Sequence, residues 1–132
     1  MSAQHDEVLE ANAAFYDAFA RGDFAAMERL WAREHPVACI HPGWPPLFGR
    51  EAVLESWAAL LGGGGGPVRP VDPQPALLGA VAFVLCQEDL DGARLVATNL
   101  FVREGARWCL CHHQAAPAPF PERPVPPGGY VN

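Results

Sequence analysis

His41-Pro42-Gly43-Trp44-Pro45-Pro46-Leu47-Phe48-Gly49-Arg50-Glu51 sits where the chain changes its hydrophobic period. Before it, Val37-Ala38-Cys39-Ile40 is a continuous apolar run of a length that suits a short buried strand, and after it helical spacing resumes. Two proline-bearing turns therefore present an imidazole and an indole at a strand's exit, beside the core and just before a helix begins. Side chains held on loops over a rigid scaffold suit ligand contact, which makes His41 and Trp44 candidate site residues. The stretch localises a site without naming a reaction.

Towards the N-terminus, Val8, Ala11, Phe15 and Phe19 recur at three- and four-residue steps. That spacing predicts an amphipathic helix from about Ser2 to Arg21, with Ser2 as N-cap and Gly22 as its stop. Asp23 is the expected N-cap of a second helix carrying Phe24, Met27, Leu30 and Trp31, so Arg21-Gly22-Asp23 is a joint between helices and not an adhesion motif. Towards the C-terminus, Val53, Trp57, Leu60 and Leu61 share one face of a third helix from about Gly49 to Leu61. The run Gly62 to Gly66 ends it and is expected to be a linker, because glycine supplies mobility but no contact chemistry.

The rest of the chain has strand character. Val68 to Leu78 is interrupted by Pro70, Pro73 and Pro75, which confines it to an edge or a bulge, since proline cannot donate to a ladder. Ala80 to Glu88, Leu95 to Arg103 and Arg107 to Gln114 are expected to be antiparallel neighbours, joined at Leu90-Asp91-Gly92-Ala93 and Glu104-Gly105-Ala106. An α+β fold follows, a curved and mostly antiparallel sheet wrapped around three N-terminal helices. The segment from Ala115 onward is rich in proline and reads as an extended arm, so a domain over residues 1–116 and an arm over 117–132 are expected.

At 132 residues the chain fits one domain with a real core. With 50% hydrophobic and only 18% charged residues, burial by self-association is expected, and a homodimer is the simplest form of it. A net charge of −6 without a Lys/Arg cluster argues against nucleic acid and anionic membrane as partners and favours a small uncharged ligand. Met1-Ser2-Ala3-Gln4-His5-Asp6-Glu7 is polar and acidic where an export signal is basic and then apolar, and no apolar run reaches membrane-spanning length. The cytoplasm is the expected compartment, with Cys39, Cys86, Cys109 and Cys111 reduced and acting as small hydrophobes.

Cys109-Leu110-Cys111-His112-His113 invites a metal reading. Strand alternation would put Cys109, Cys111 and His113 on one face, and His112 on the other with Trp108 and Leu110; at most three ligands then converge, and no metal site is expected. No nucleophile elbow, phosphate loop or dinucleotide fingerprint is present, so no cofactor is expected either.

Ala14-Phe15-Tyr16-Asp17-Ala18-Phe19 followed by Arg21-Gly22-Asp23-Phe24, the helix start Phe48-Gly49-Arg50-Glu51-Ala52 and the closing Trp108-Cys109-Leu110-Cys111-His112-His113 together resemble the nuclear transport factor 2-like superfamily. This cone-shaped α+β barrel is shared by ketosteroid isomerases and SnoaL-like polyketide cyclases. The resemblance covers roughly Gln4 to Ala116, and His41-Pro42-Gly43-Trp44 is similar to a SnoaL-like branch mostly of unknown function. It implies that His41, before Pro42, stands where the isomerases have an aspartate base, and that Asn99 stands where they have a carboxyl donor. Phe15 stands where they have a tyrosine donor and carries no donor, while Tyr16 points about 100° away around the helix.

An apolar pocket near His41, Trp44 and Asn99 is therefore expected, walled also by Phe15, Trp57 and one or both of His112 and His113. His41 could instead pack and donate to a backbone carbonyl, and Trp44 could instead plug an interface. Two functions fit: binding of a small hydrophobic molecule, or cofactor-independent isomerisation, cyclisation or dehydration with His41 as general acid or base.

Overall fold

The computed structural model describes residues 2–118. Helix α1 (Ala3–Arg21) begins where the Ser2 side chain accepts from the His5 N–H and ends at Gly22, whose φ of 65° lies in the left-handed region. Only glycine fits there, because a Cβ on Gly22 would lie 2.4 Å from the carbonyl carbon of Gly64. The glycine run is thus seated against the end of α1 and is not a free linker. Asp23 caps α2 (Phe24–Leu30) by accepting from the Ala26 N–H.

Strands β1 (Ala38–Ile40) and β2 (Leu47–Phe48) precede α3 (Arg50–Leu61), and then β3 (Arg69–Leu78), β4 (Val81–Asp89), β5 (Arg94–Glu104) and β6 (Arg107–Pro117) complete the chain. They form one curved, unclosed sheet in the order β2-β1-β6-β5-β4-β3, antiparallel except between β1 and β6. The prolines of β3 are accommodated as expected: the strand lies at an edge and bulges between Val71 and Gln74. Inward side chains such as Val84, Phe101 and Leu110 meet Phe15, Met27, Trp31 and Trp57 from the helical segments in one continuous core. No helix among the described residues is long and apolar enough to cross a membrane.

The structure corrects three further sequence expectations. Strand β2 was not foreseen, because two residues carry no period. Strand β6 runs three residues past Gln114, pairing Ala115, Ala116 and Pro117 with Ala97, Val96 and Leu95; the remainder of the expected arm, residues 119–132, lies outside the described residues. The third correction concerns facing. Asn99 pairs with His113 and Leu100 with His112, but Phe101 pairs with Leu110, which leaves Cys111 as an extra residue in β6. Cross-strand partners share a face, so His113 joins Leu110 on the helix side, while Cys109 and His112 turn to the opposite side. The single-face grouping of Cys109, Cys111 and His113 does not occur.

Candidate functional site

Inward positions of β4 fall at Ala82, Val84, Cys86 and Glu88, and the last of these places a carboxyl group in the interior at 2% exposure. From α1, Asn12 and Tyr16 lie one turn apart and face it. The Tyr16 hydroxyl donates to Glu88 Oε2 at 2.6 Å and accepts from Asn99 Nδ2 at 3.1 Å. The other Asn99 N–H is given to Asn12 Oδ1 at 2.9 Å, and Asn99 Oδ1 accepts from His113 Nδ1 at 2.6 Å. Both amide hydrogens of Asn99 are therefore spent. His113 carries its proton on Nδ1, and its bare Nε2 lies 3.9 Å from Glu88 Oε2.

His41 follows β1 and is held from the opposite side. Ser56 on α3 donates its hydroxyl hydrogen to the Val53 carbonyl at 2.6 Å, so at the 2.8 Å contact with His41 Nε2 it can only accept. His41 is thereby fixed as the Nε2–H tautomer, with Nδ1 left as a lone pair. Edge contacts with Trp44 and Trp57, each at 4.9 Å between centroids, hold the ring's plane. The loop that leads into β1 is anchored by Glu104, which accepts from the N–H groups of Arg33 and Glu34 and from His35 Nδ1.

Burial sets the charge states. Desolvation pulls His41 down to about 4. The same cause, with smaller contributions from His41 and His112, pulls His113 down to about 3, so both rings are neutral at pH 7. Glu88 moves the other way: burial raises its pKa, and the hydrogen bond from Tyr16 only partly opposes this. Burial also pushes the Cys39 thiol up to about 12, which removes it as a nucleophile although it lies 3.8 Å from His41 Nε2.

A cavity of about 240 Å³ opens on these groups. His41, Glu88 and His113 line it together with the apolar side chains of Phe19, Trp44, Leu60, Leu90 and Leu95. Of the residues expected from the sequence, it thus brings together His41, Trp44 and His113. Asn99, Phe15 and Trp57 are fully buried and do not line it; Phe15 packs at a tilt against His113, 4.9 Å between centroids, and Asn99 orients that ring's proton. His112 lies on the far face of β6, with its Nδ1 3.0 Å from the Ala38 carbonyl. A larger hollow of about 540 Å³, beside Ala20, Arg69, Asp89 and Asp91, contains none of these groups, and its Arg69 is already paired with Asp89 at 2.9 Å.

Sequence reasoning missed Glu88, Tyr16, Ser56 and Asn12. A signal for the first was present: Glu88 shares strand parity with Ala82, Val84 and Cys86, which places an acid on an otherwise apolar face. Tyr16 was set aside in favour of Phe15, but α1 is buried over a face wide enough to take in both, at 1% and 0% exposure. Among the described residues, no group of three or more His, Cys, Asp or Glu side chains could hold a metal ion.

Comparison with known proteins places this geometry. A protein of Streptomyces avermitilis from the NTF2-like family, provisionally assigned as a dehydratase, is 35% identical, with a TM-score of 0.81 over 89% of this chain and 97% of that one. A Thiobacillus denitrificans protein, provisionally assigned as a calcium/calmodulin-dependent protein kinase type II association domain, is 30% identical, with a TM-score of 0.71 over 83% of this chain and 93% of that one. F-box protein SKIP8 of Arabidopsis thaliana is 26% identical over 114 residues, 83% of this chain, and the chain spans only 48% of that relative's length. The SnoaL-like domain family matches residues 8–121, nearly the whole described fold, and the chain belongs to that family within the nuclear transport factor 2-like superfamily.

Proposed function

We propose that the cavity binds a small, largely hydrophobic molecule bearing a carbonyl group and moves protons on it without a cofactor, as an isomerase or dehydratase does. One observation carries this reading: two neutral imidazoles and one carboxyl group of raised pKa share an apolar cavity, each held by partners outside it. Glu88, whose burial favours its protonated form, donates to the carbonyl oxygen, and the Nδ1 lone pair of His41 removes the proton α to the carbonyl. Return of that proton at a different carbon isomerises the substrate; its transfer from His41 to a β-hydroxyl, which leaves as water, dehydrates it, and in both cases the carbonyl oxygen gives its proton back to Glu88. His113, Asn99 and Tyr16 position Glu88. The S. avermitilis relative's provisional assignment as a dehydratase supports the same class.

The test is turnover of β-hydroxy and β,γ-unsaturated ketones, followed by the ultraviolet absorbance of the conjugated product. His41→Ala and Glu88→Gln should each reduce the rate by about 10²–10⁴-fold, the usual contribution of general acid–base catalysis, with the fold intact. If the protein retains a small molecule unchanged, and His41→Ala weakens retention without altering any rate, the binding function replaces the enzymatic one.

The proposal extends to a homodimer formed through the outer face of β4 and β5, where Leu85 and Val96 are 47% and 41% exposed. The proposal also takes the cytoplasm as the compartment, where Cys39, Cys86 and Cys109 serve as buried thiols packed in the core.

A further inference from the structure

The cavity beside His41 has a neighbour that shares its walls. Phe19, Leu60 and Leu90 line it and also line a second hollow of about 300 Å³. The far side of that hollow is Gly65, Gly66, Pro67 and Val68, so no charged side chain lines it. The first cavity, at about 240 Å³, is smaller than the ~300–1,000 Å³ usual for ligand sites, whereas the two together fall within that range. The glycine wall is fixed in place: a Cβ on Gly65 would lie 2.5 Å from the Gly22 nitrogen, so backbone is packed directly on the cap of α1. Gly65 and Gly66, which carry no side chains, leave room there that other residue types would fill.

We infer that the two hollows form one bipartite site for an uncharged amphipathic molecule. Its carbonyl-bearing head lies against His41, Glu88 and His113. Its linear hydrocarbon tail passes between Phe19, Leu60 and Leu90 and lies along Gly65, Gly66, Pro67 and Val68. The tail is hydrocarbon because the outer lining offers apolar side chains and backbone but no ionic partner. It is linear because it must pass the three side chains that both hollows share. The inference rests on the proposed function for the head and adds the class of the tail.

The experiment titrates the full-length protein with straight-chain methyl ketones from pentanone to undecanone, with binding followed by calorimetry. Affinity should rise about fourfold per added methylene through the longest ketones, the increment for burying a CH₂ group. Gly66 has an ordinary φ and open space at its Cβ, so a large side chain can be introduced there without backbone strain. Gly66→Trp should lower the ratio of undecanone to pentanone affinity by about tenfold or more, and Gly66→Phe should move it in the same direction. A series that levels off after hexanone, with pentanone bound, overturns the outer half alone. An unchanged ratio in both variants, each with a native circular dichroism spectrum, overturns it too. Failure of every ketone to bind, pentanone included, overturns the reading of the head-group cavity and this inference with it.

Discussion

Glu88 is the residue on which stability and proposed chemistry pull against each other. Its folded pKa is raised, so as pH rises above about 4.5 the unfolded chain loses a proton that the folded chain still holds. Stability falls through that window and levels off only above the folded value. Glu88→Gln keeps an oxygen to accept from Tyr16 and removes the ionisation. The variant should therefore melt a few degrees above the parent at pH 8, roughly 0.5–2 kcal/mol, the gain typical of relieving a functional compromise. The gap should close near pH 4. Scanning calorimetry across that range checks it, and a gap independent of pH would mean that Glu88 is ionised in both states. The histidines act in the opposite sense. With folded values near 4 and 3, His41 and His113 give their full stability above the unfolded value of 6.5 and lose it as pH falls.

Among the elements, the caps were legible and the register was not. Ser2, Gly22 and Asp23 could be read from the sequence because each acts on its own helix within a few residues. His41 and Trp44 were legible for a similar reason, since prolines mark the turn that carries them. Tyr16 reaches Glu88 and Asn99 across separations of 72 and 83 residues, and nothing local reports such a meeting. The bulge at Cys111 was equally hidden, because it exists only relative to β5. Helix α3 contributes the least visible part, Ser56. Ser56→Ala leaves the His41 Nε2–H without its partner in the interior, a cost of about 1–3 kcal/mol for a buried donor. Imidazole nitrogen shifts in NMR should show one tautomer of His41 in the parent and a mixture in the variant. An unmixed ring would remove Ser56 from any positioning role.

At the level of the whole molecule, the sheet's inner face is committed to the core and its outer face carries Leu85 and Val96 in the open. A dimer covering them should scatter light with twice the 14.2 kDa mass of one chain, and Val96→Arg, which sets like charges near a two-fold axis, should return it to a monomer. A parent that is monomeric at micromolar concentration would place the interface elsewhere or nowhere. The inner face has a different exposure to change, and it follows from the unpaired residue in β6. On one side of Cys111 the strand supplies Leu110 to the packing; on the other it supplies His113 to the cavity; and the two halves are out of phase by one residue. Substitutions in either half leave the other's phase untouched, so packing and chemistry can diverge separately along one strand. A deletion there is tolerated for the same reason. Loss of a single codon at Cys111 would shorten the step from Leu110 to His113 to two residues, so simple alternation would keep both on the inner face and the site would outlast its own bulge.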